Sequence, residues 1–235
     1  MSDTSHPAPQ TPAQPRDAAT VVVLRDADSV HEADPVHKAG IEVYLIKRSR
    51  AVDFMAGAHV FPGGRLDPAD GSLEVCAVRE TFEEAGLLLE VAALVPWVRW
   101  VTPEISPKRF DARFFLARAP EGQEPRVDGY EAVEGLWIAP HEALQRWEDG
   151  AMQLAPATAK SIEMLVVYPT VDAALVDAAR RPPPLSMPVV WNDKESGRAY
   201  ISLPGDPRHP LPDVLGGKIR RFQLTEGRYR RVSAN

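Results

Sequence analysis

The strongest constraint on the fold lies between Phe61 and Leu89, which reads FPGGRLDPADGSLEVCAVRETFEEAGLLL. Pro62-Gly63-Gly64 predicts a turn, because proline lacks a backbone donor and paired glycines suit neither a helix nor a central strand. Asp67 to Ser72 is loop and cap chemistry, and Asp70 or Ser72 can accept the orphan N–H groups of a helix that follows. The spacing predicts that helix over Leu73 to Ala85, stopped by Gly86 at the C′ position. At about 100° per residue, Val75, Val78, Phe82 and Ala85 share one arc, and Glu80, Glu83 and Glu84 fall nearly opposite. Like charges at this spacing repel by about a few tenths of a kcal/mol per pair. A solvated polar face is the bland account of them. A cation gathered among them turns the repulsion into binding, and hard divalent ions such as Mg2+ take such oxygen ligands with water and substrate phosphates. The glycines upstream let backbone approach an ion or a phosphate. Arg79 sits one turn before Glu83 and can hold that carboxylate.

Gly63-Gly64 followed by Arg79-Glu80-Thr81-Phe82-Glu83-Glu84-Ala85-Gly86-Leu87 resembles the Nudix box, G-x5-E-x7-R-E-U-x-E-E-x-G-U. Counted from Gly64, Asp70 stands at the family's first glutamate with one extra residue before Arg79, and Thr81 replaces an aliphatic residue. The resemblance implies an α/β fold, a mixed β-sheet sandwiched between helices. It implies hydrolysis of a phosphoanhydride in a nucleoside diphosphate derivative, with Mg2+ or Mn2+ as cofactor. Glu80, Glu83 and Glu84, with Gly64, would hold the metal, and Arg79 would orient the carboxylates. Glu83 or a carboxylate outside the box would take the proton of the attacking water. Glu131 and Glu134 are the outlying candidates; Glu134, before the apolar end of its strand, is carried forward as catalytic, although edge-strand surface charge explains either alone.

The segment before the box, FMAGAHVFPGG, looks like the branch that cleaves coenzyme A and its thioesters, especially the peroxisomal type. That branch has the bacterial signature LLTxxSxxLRxxxGxVxFPGG. Ser49 and Gly57 match it, Val52-Asp53 replace its Leu-Arg pair, and His59 replaces its Val. The runs WVTPE and RFDARFFLARAP resemble the same branch. Three functions compete: a coenzyme A or acyl-CoA diphosphohydrolase; a Nudix hydrolase of ADP-ribose, a dinucleotide or a nucleoside triphosphate; and a non-catalytic nucleotide sensor. The intact carboxylate set argues against the sensor, which needs no metal ligands.

Composition sets the outer limits. A chain of 235 residues suits one large domain with appendages, and 44% hydrophobic content suits a packed core. A net charge of −6 argues against a general nucleic-acid partner. No apolar run is long enough to span a bilayer, and no basic, apolar leader opens the sequence. With a single cysteine, Cys76, there is no internal disulfide framework. The expectation is a cytoplasmic protein with a small-molecule nucleotide substrate, no nucleic acid and no membrane, and with a homodimer left open.

Residues 1–17, rich in Pro among Ser, Thr and Gln, read as a disordered tail. Residues 18–180 read as the catalytic domain. Ala19 to Leu24 and Ile41 to Lys47 are strands, and the loop between them carries His31 and His37. Val95 to Glu104 is a strand with Trp97, Arg99 and Val101 on one side and Val98, Trp100 and Thr102 on the other. The two tryptophans thus take opposite faces, one in the core and Trp100 available to stack on an adenine. On Lys108 to Arg118, Phe110, Ala112, Phe114 and Leu116 form a core face. Arg109 and Arg113 flank Asp111 on the other, where they grip a phosphate or form a mixed-charge surface ladder. A strand over Tyr130 to Ile138 precedes helices through Trp147, over Ala155 to Val167 and over Val171 to Arg180. Beyond the stiff Pro182-Pro183-Pro184 spacer, residues 181–235 read as a small C-terminal β appendage. It ends in a basic hairpin that closes the substrate cleft, makes a dimer contact or covers a sheet edge.

Overall fold

The computed structural model describes residues 12–27, 40–49 and 55–233. Most of the expected tail, His31, His37 and Val52-Asp53 lie outside the described residues. In chain order the elements are β1 (Arg16–Asp26), β2 (Ile41–Arg48), β3 (His59–Val60), β4 (Gly63–Arg65) and α1 (Leu73–Ala85). A 3-10 turn at Val91–Ala93 leads to β5 (Val95–Val101), β6 (Phe110–Arg118) and β7 (Ala132–Ile138). Then come α2 (Pro140–Glu148), α3 (Pro156–Leu165), α4 (Val171–Ala179), β8 (Leu185–Ser186), β9 (Val189–Asn192), β10 (Ala199–Ser202), β11 (Arg221–Thr225) and β12 (Arg228–Arg231). The first strand therefore takes in Arg16 and Asp17, which the composition assigned to the tail.

An eight-stranded mixed sheet runs β3-β2-β1-β6-β5-β8, with β4 paired to β1 and β7 to β2. Its spine is β1 beside β6, parallel from Arg16 opposite Phe110 to Leu24 opposite Arg118. Side chains alternate across the pleat. Val22 and Leu24 join Phe114 and Leu116 in a core shared with α2, α3 and α4. Val21 and Val23 join Phe115 in a second core under Cys76, Ala77 and Ala85 of α1. The sheet is thus covered on both faces, as expected of this α/β class. No helix among the described residues is long and apolar enough to cross a membrane.

Three local readings change. The paired glycines form a strand, not a turn: Gly63 and Gly64 lie opposite Thr20 and Ala19 of β1. A Cβ on Gly63 would run into the Ala19 carbonyl and stand 2.7 Å from Thr20 Cα, so the strands pair here only because a side chain is missing. In β5 the register shifts between Pro96 and Val98, leaving Trp97 as an inserted residue. The bulge breaks the strict alternation, and Trp97 and Trp100 end in the same core, 1% and 5% exposed. On α1 the apolar arc is only in part the buried one, since Ala85 and Val78 face the core while its other two members do not. Val75 and Phe82 are 40% and 50% exposed, while Cys76, Ala77, Thr81, Glu84 and Ala85 are buried. Small side chains let the helix axis approach the sheet, and a pull on Glu84 from the sheet sets its rotation.

The small antiparallel sheet β12-β11-β10-β9 follows. Its hairpin turns on Glu226 and Gly227, both at positive φ (52° and 74°), the conformation a two-residue turn requires. This sheet is built into the larger core. Leu203, Leu215, Ile219 and Phe222 belong to the same cluster as Val22, and Phe222 packs on Trp147 at 5.9 Å. Lys160 of α3 is 1% exposed and donates to Glu163 at 2.7 Å and to the Gly216 carbonyl. Glu163 in turn accepts from the Lys218 and Ile219 N–H groups at 2.7 and 2.9 Å.

Candidate active site

Ser72 caps α1 by accepting from Val75 N–H at 3.2 Å, and Gly86 at φ 66° ends it. That frees Asp70 for another partner. Its buried carboxylate accepts from Arg79 Nε at 2.7 Å and Nη2 at 2.9 Å, and from Asp67 N–H at 2.8 Å. The planar guanidinium matches two carboxylate oxygens at once. This fork holds the Asp70 carboxyl well below the usual carboxylate range, against the opposing push of burial. Asp70 therefore orients Arg79 despite its shorter side chain. Arg79 Nη1 reaches on to Glu80 Oε1 and Glu83 Oε2, each at 2.9 Å. One guanidinium so ties the loop before the helix to two carboxylates on it.

The three glutamates differ in environment. Glu83 is on the solvent side. Glu80 lies over Gly64, so closely that a Cβ there would fall within its carboxylate. Burial raises its pKa, with Arg79 opposing and the charges of Glu83 and Glu131 adding. Glu84 is 5% exposed and accepts from Gly63 N–H at 2.8 Å, with Arg48 Nη1 at 3.8 Å. Desolvation raises its pKa to about 7; Gly63 N–H and Arg48 counter this, and Glu80 and Glu131 add to it. Glu84 is thus the side chain that rotates α1, since its carboxylate is drawn inward to the strand whose glycines leave room. Cys76 is buried in the same interface, its thiol pushed up to about 12 first by burial, which makes it an inert packing group.

Of the two glutamates outside the helix, the structure places Glu131 near Glu80 and Glu84, and Glu134 against Lys47. Lys47 and Arg48 are consecutive on β2, where the pairing with β7 shifts register, and their side chains go to different carboxylates. Glu134 pairs with Lys47 at 3.2 Å, on the side of His59, whereas Arg48 turns to Glu84. It is the charge of Glu131 that reaches Glu80 and Glu84. The sequence reading carried Glu134 forward, whereas the pairing of Lys47 with Glu134 and of Arg48 with Ala132 sets Glu134 apart from the helix carboxylates. Arg48 itself was missed, since nothing near it in sequence marked it as functional.

The other expected contacts are not brought together with the glutamates. Arg109 is buried and donates to the backbone carbonyls of Thr102 at 3.1 Å and Ala13 at 2.8 Å, pinning the start of β1. Asp111 takes a two-point contact from Arg99. Arg113 lies across β1 from Gly64, its Nε 3.6 Å from Asp111. Trp100 is inside the core, where no base can stack on it. His59 is 7% exposed and packed beside Leu154.

Among the described residues, no three His, Cys, Asp or Glu side chains stand close enough to hold a metal as they are placed, because Arg79 occupies oxygens of Glu80 and Glu83. The donor set still fits a hard divalent ion by its chemistry. All the donors are oxygens, at helical spacings of three and four. Glu84 is a buried carboxylate, and among the described residues the cation paired with it, Arg48 Nη1, stands at 3.8 Å.

The family model for the NUDIX domain matches residues 15–158. Among curated proteins the chain is similar to acyl-coenzyme A diphosphatase NUDT19 of Gallus gallus, 23% identical over 60% of this chain and 65% of that one. It is 24% identical to the protein of that name from Xenopus laevis over 75% and 74% of the two chains, and 28% identical to putative nudix hydrolase 7 of Caenorhabditis elegans over 48% and 52%. The chain thus spans about two thirds of the first of these relatives and about half of the last. Among solved structures, a NUDIX hydrolase from Alicyclobacillus acidocaldarius superposes with a TM-score of 0.62 at 27% identity, over 72% of this chain and 99% of that one.

Proposed function

The chain belongs to the NUDIX family, and from that premise we propose that it is a divalent-metal-dependent diphosphohydrolase acting on coenzyme A or an acyl-CoA. Water attacks one phosphorus of the diphosphate and the P–O–P bridge breaks. The products are a 3′-phosphorylated adenosine nucleotide and a phosphopantetheine or its acyl thioester. The observation that carries the reaction type is the paired arrangement on α1: Arg79, forked on Asp70, holding Glu80 and Glu83, beside a buried Glu84 drawn to Gly63. Two findings support the substrate. The curated relatives include proteins named acyl-coenzyme A diphosphatase. Ser49, which matches the serine of the coenzyme A signature, also donates its backbone N–H to the Glu131 carbonyl at 2.7 Å, so that segment abuts the carboxylates.

Glu80, Glu83 and Glu84 would hold the metal, Mg2+ or Mn2+. When bound, it supplies charge neutralisation at the diphosphate and a lowered pKa for the attacking water. Arg79 keeps Glu80 and Glu83 in register with the loop. Glu131 is the candidate to accept the proton of the attacking water, close to the site but outside the helix.

A panel of coenzyme A, an acyl-CoA, ADP-ribose and NADH with Mg2+, read by product mass, tests the substrate. Glu84→Gln should lower turnover by on the order of 10²-fold or more without unfolding the protein. Full turnover in that variant, or in excess chelator, overturns the reading.

A further inference from the structure

Away from the carboxylates, the C-terminal hairpin and the end of α2 enclose a cavity of about 390 Å3. Trp147, Met152 and Leu154 line it; all three are core residues, at most 5% exposed. The turn from Met55 to Ala58 forms one wall, and Leu224 of β11 and Tyr229 of β12 form another. A smaller hollow of about 240 Å3 shares Trp147, Glu148 and Arg230 with it. The diphosphate chemistry uses none of these groups. Pockets for whole ligands run from about 300 to 1,000 Å3, so this one suits a substituent rather than an entire nucleotide thioester. Its lining combines Met55, Met152 and Leu224 with Glu148, Asp149, Arg228 and Arg230, and the two methionines can repack around chains of different length. Met55 is also held at φ 54°, a conformation that bulky residues seldom adopt, so this wall is kept against local strain.

Its position relative to the site is specific. The Ala58 carbonyl accepts from Arg48 N–H at 2.9 Å, and Gly57 N–H donates to the Arg48 carbonyl at 3.1 Å. The same Arg48 turns its guanidinium to Glu84 on the other face of the sheet. One residue therefore joins the cavity wall to the carboxylate cluster. The geometry points to this cavity as the seat of the acyl group of an acyl-CoA substrate, an inference that rests on the coenzyme A reading above. An extended pantetheine arm spans roughly 15 Å, from the dimensions of its amide units, and on this proposal it carries the thioester round the strand end. The hairpin then acts as a selector of acyl chains, which gives the C-terminal sheet a part in specificity.

The test compares kcat/KM for octanoyl-CoA and free coenzyme A. Each methylene buried is worth roughly fourfold, so the wild-type protein should favour octanoyl-CoA by about tenfold or more. Leu224→Trp and Ala56→Trp add bulk from exposed wall positions. Both should bring the ratio close to one while leaving hydrolysis of free coenzyme A within about twofold of wild type. A wild-type ratio near one, or a ratio unchanged in both variants, overturns the inference. A second readout separates it from the reading it rests on. Octanoyl-pantetheine, which has no diphosphate, should bind the wild-type protein and not Leu224→Trp in calorimetry. If it does so while only ADP-ribose is hydrolysed, the coenzyme A reading falls and the cavity stands as an apolar-chain site. If it does not bind the wild-type protein, the cavity assignment falls.

Discussion

Gly63 and Gly64 are neighbours in one short strand, yet alanine at each should do different damage. At Gly63 the new Cβ meets backbone, the Ala19 carbonyl and Thr20 Cα, and neither can rotate away. Either β4 leaves β1 or both strands shift. Overpacking of that kind costs about 1–3 kcal/mol. Moving β4 also breaks the Gly63 N–H bond to Glu84 at 2.8 Å, and a hydrogen bond to a charged group contributes about 1.5–3 kcal/mol. The sum is roughly 3–6 kcal/mol, which at about 2–4 °C per kcal/mol for a chain of this size lowers Tm by roughly 6–24 °C. At Gly64 the three atoms nearest the Cβ are the carboxylate end of Glu80, which can swing aside. Gly64→Ala should cost less than about 1 kcal/mol in stability, in line with substitutions that disturb no packing. It should cut kcat/KM by about 10–100-fold, the usual loss when a metal-holding carboxylate is misplaced. Thermal unfolding followed by circular dichroism, with steady-state hydrolysis of coenzyme A, measures both. Equal losses of Tm in the two variants, or a fully active Gly64→Ala, would refute the reasoning.

Glu131→Gln should lower kcat strongly, whereas Glu134→Gln, paired with Lys47, should stay within about twofold of wild type, as surface substitutions do; the opposite order in kcat would show that the strand pairing misled the assignment. Asp70→Asn removes the fork on Arg79 and should lower stability at pH 7 by about 1.5–3 kcal/mol in urea unfolding. Because folding depresses the Asp70 pKa, its contribution is fully present above the unfolded-chain value of about 3.9 and is lost as pH falls below it. The gap between wild type and Asp70→Asn should therefore narrow at pH 3, and a gap independent of pH would rule out the carboxylate as its source. Trp100→Ala should destabilise by about 3–5 kcal/mol as a core truncation, with KM of the folded fraction unchanged; a raised KM at normal stability would restore the stacking role.

Most of the fold could be read along the chain. The helix from Leu73 to Ala85, the strand opening β6 and the C-terminal hairpin carry their own periodicity, caps and turn residues. What failed was decided by tertiary contact. The helical wheel ranked Phe82 above Thr81 for burial by hydrophobicity, but close approach to the sheet favours small residues, and Gly63 N–H drew Glu84 inward. The two tryptophans alternate only if β5 is regular, and the inserted residue at Trp97 is marked in sequence by Pro96 alone, a residue that sheets tolerate at bulges. Arg109 and Arg113 have the spacing of a phosphate clamp, yet Arg109 spends its donors on backbone carbonyls of a distant segment. In the site, Arg79 and the three carboxylates were legible because one helix carries them. Arg48 ends β2 and Glu131 lies just before β7, and they meet the helix only through the pairing of those strands.

The ion pair between Lys160 and Glu163 bears on where this protein can be cut. The family match ends at residue 158, but α3 straddles that point, and its ammonium group is satisfied by the Gly216 carbonyl. A fragment trimmed to the matched region would keep only the first turn of α3, and one trimmed after α4 would strand a nearly inaccessible cation with a single carboxylate. Either would also uncover the apolar ground on which Phe222 and Ile219 rest. The smallest piece expected to stand on its own reaches at least through β11, some sixty residues past the end of the family match.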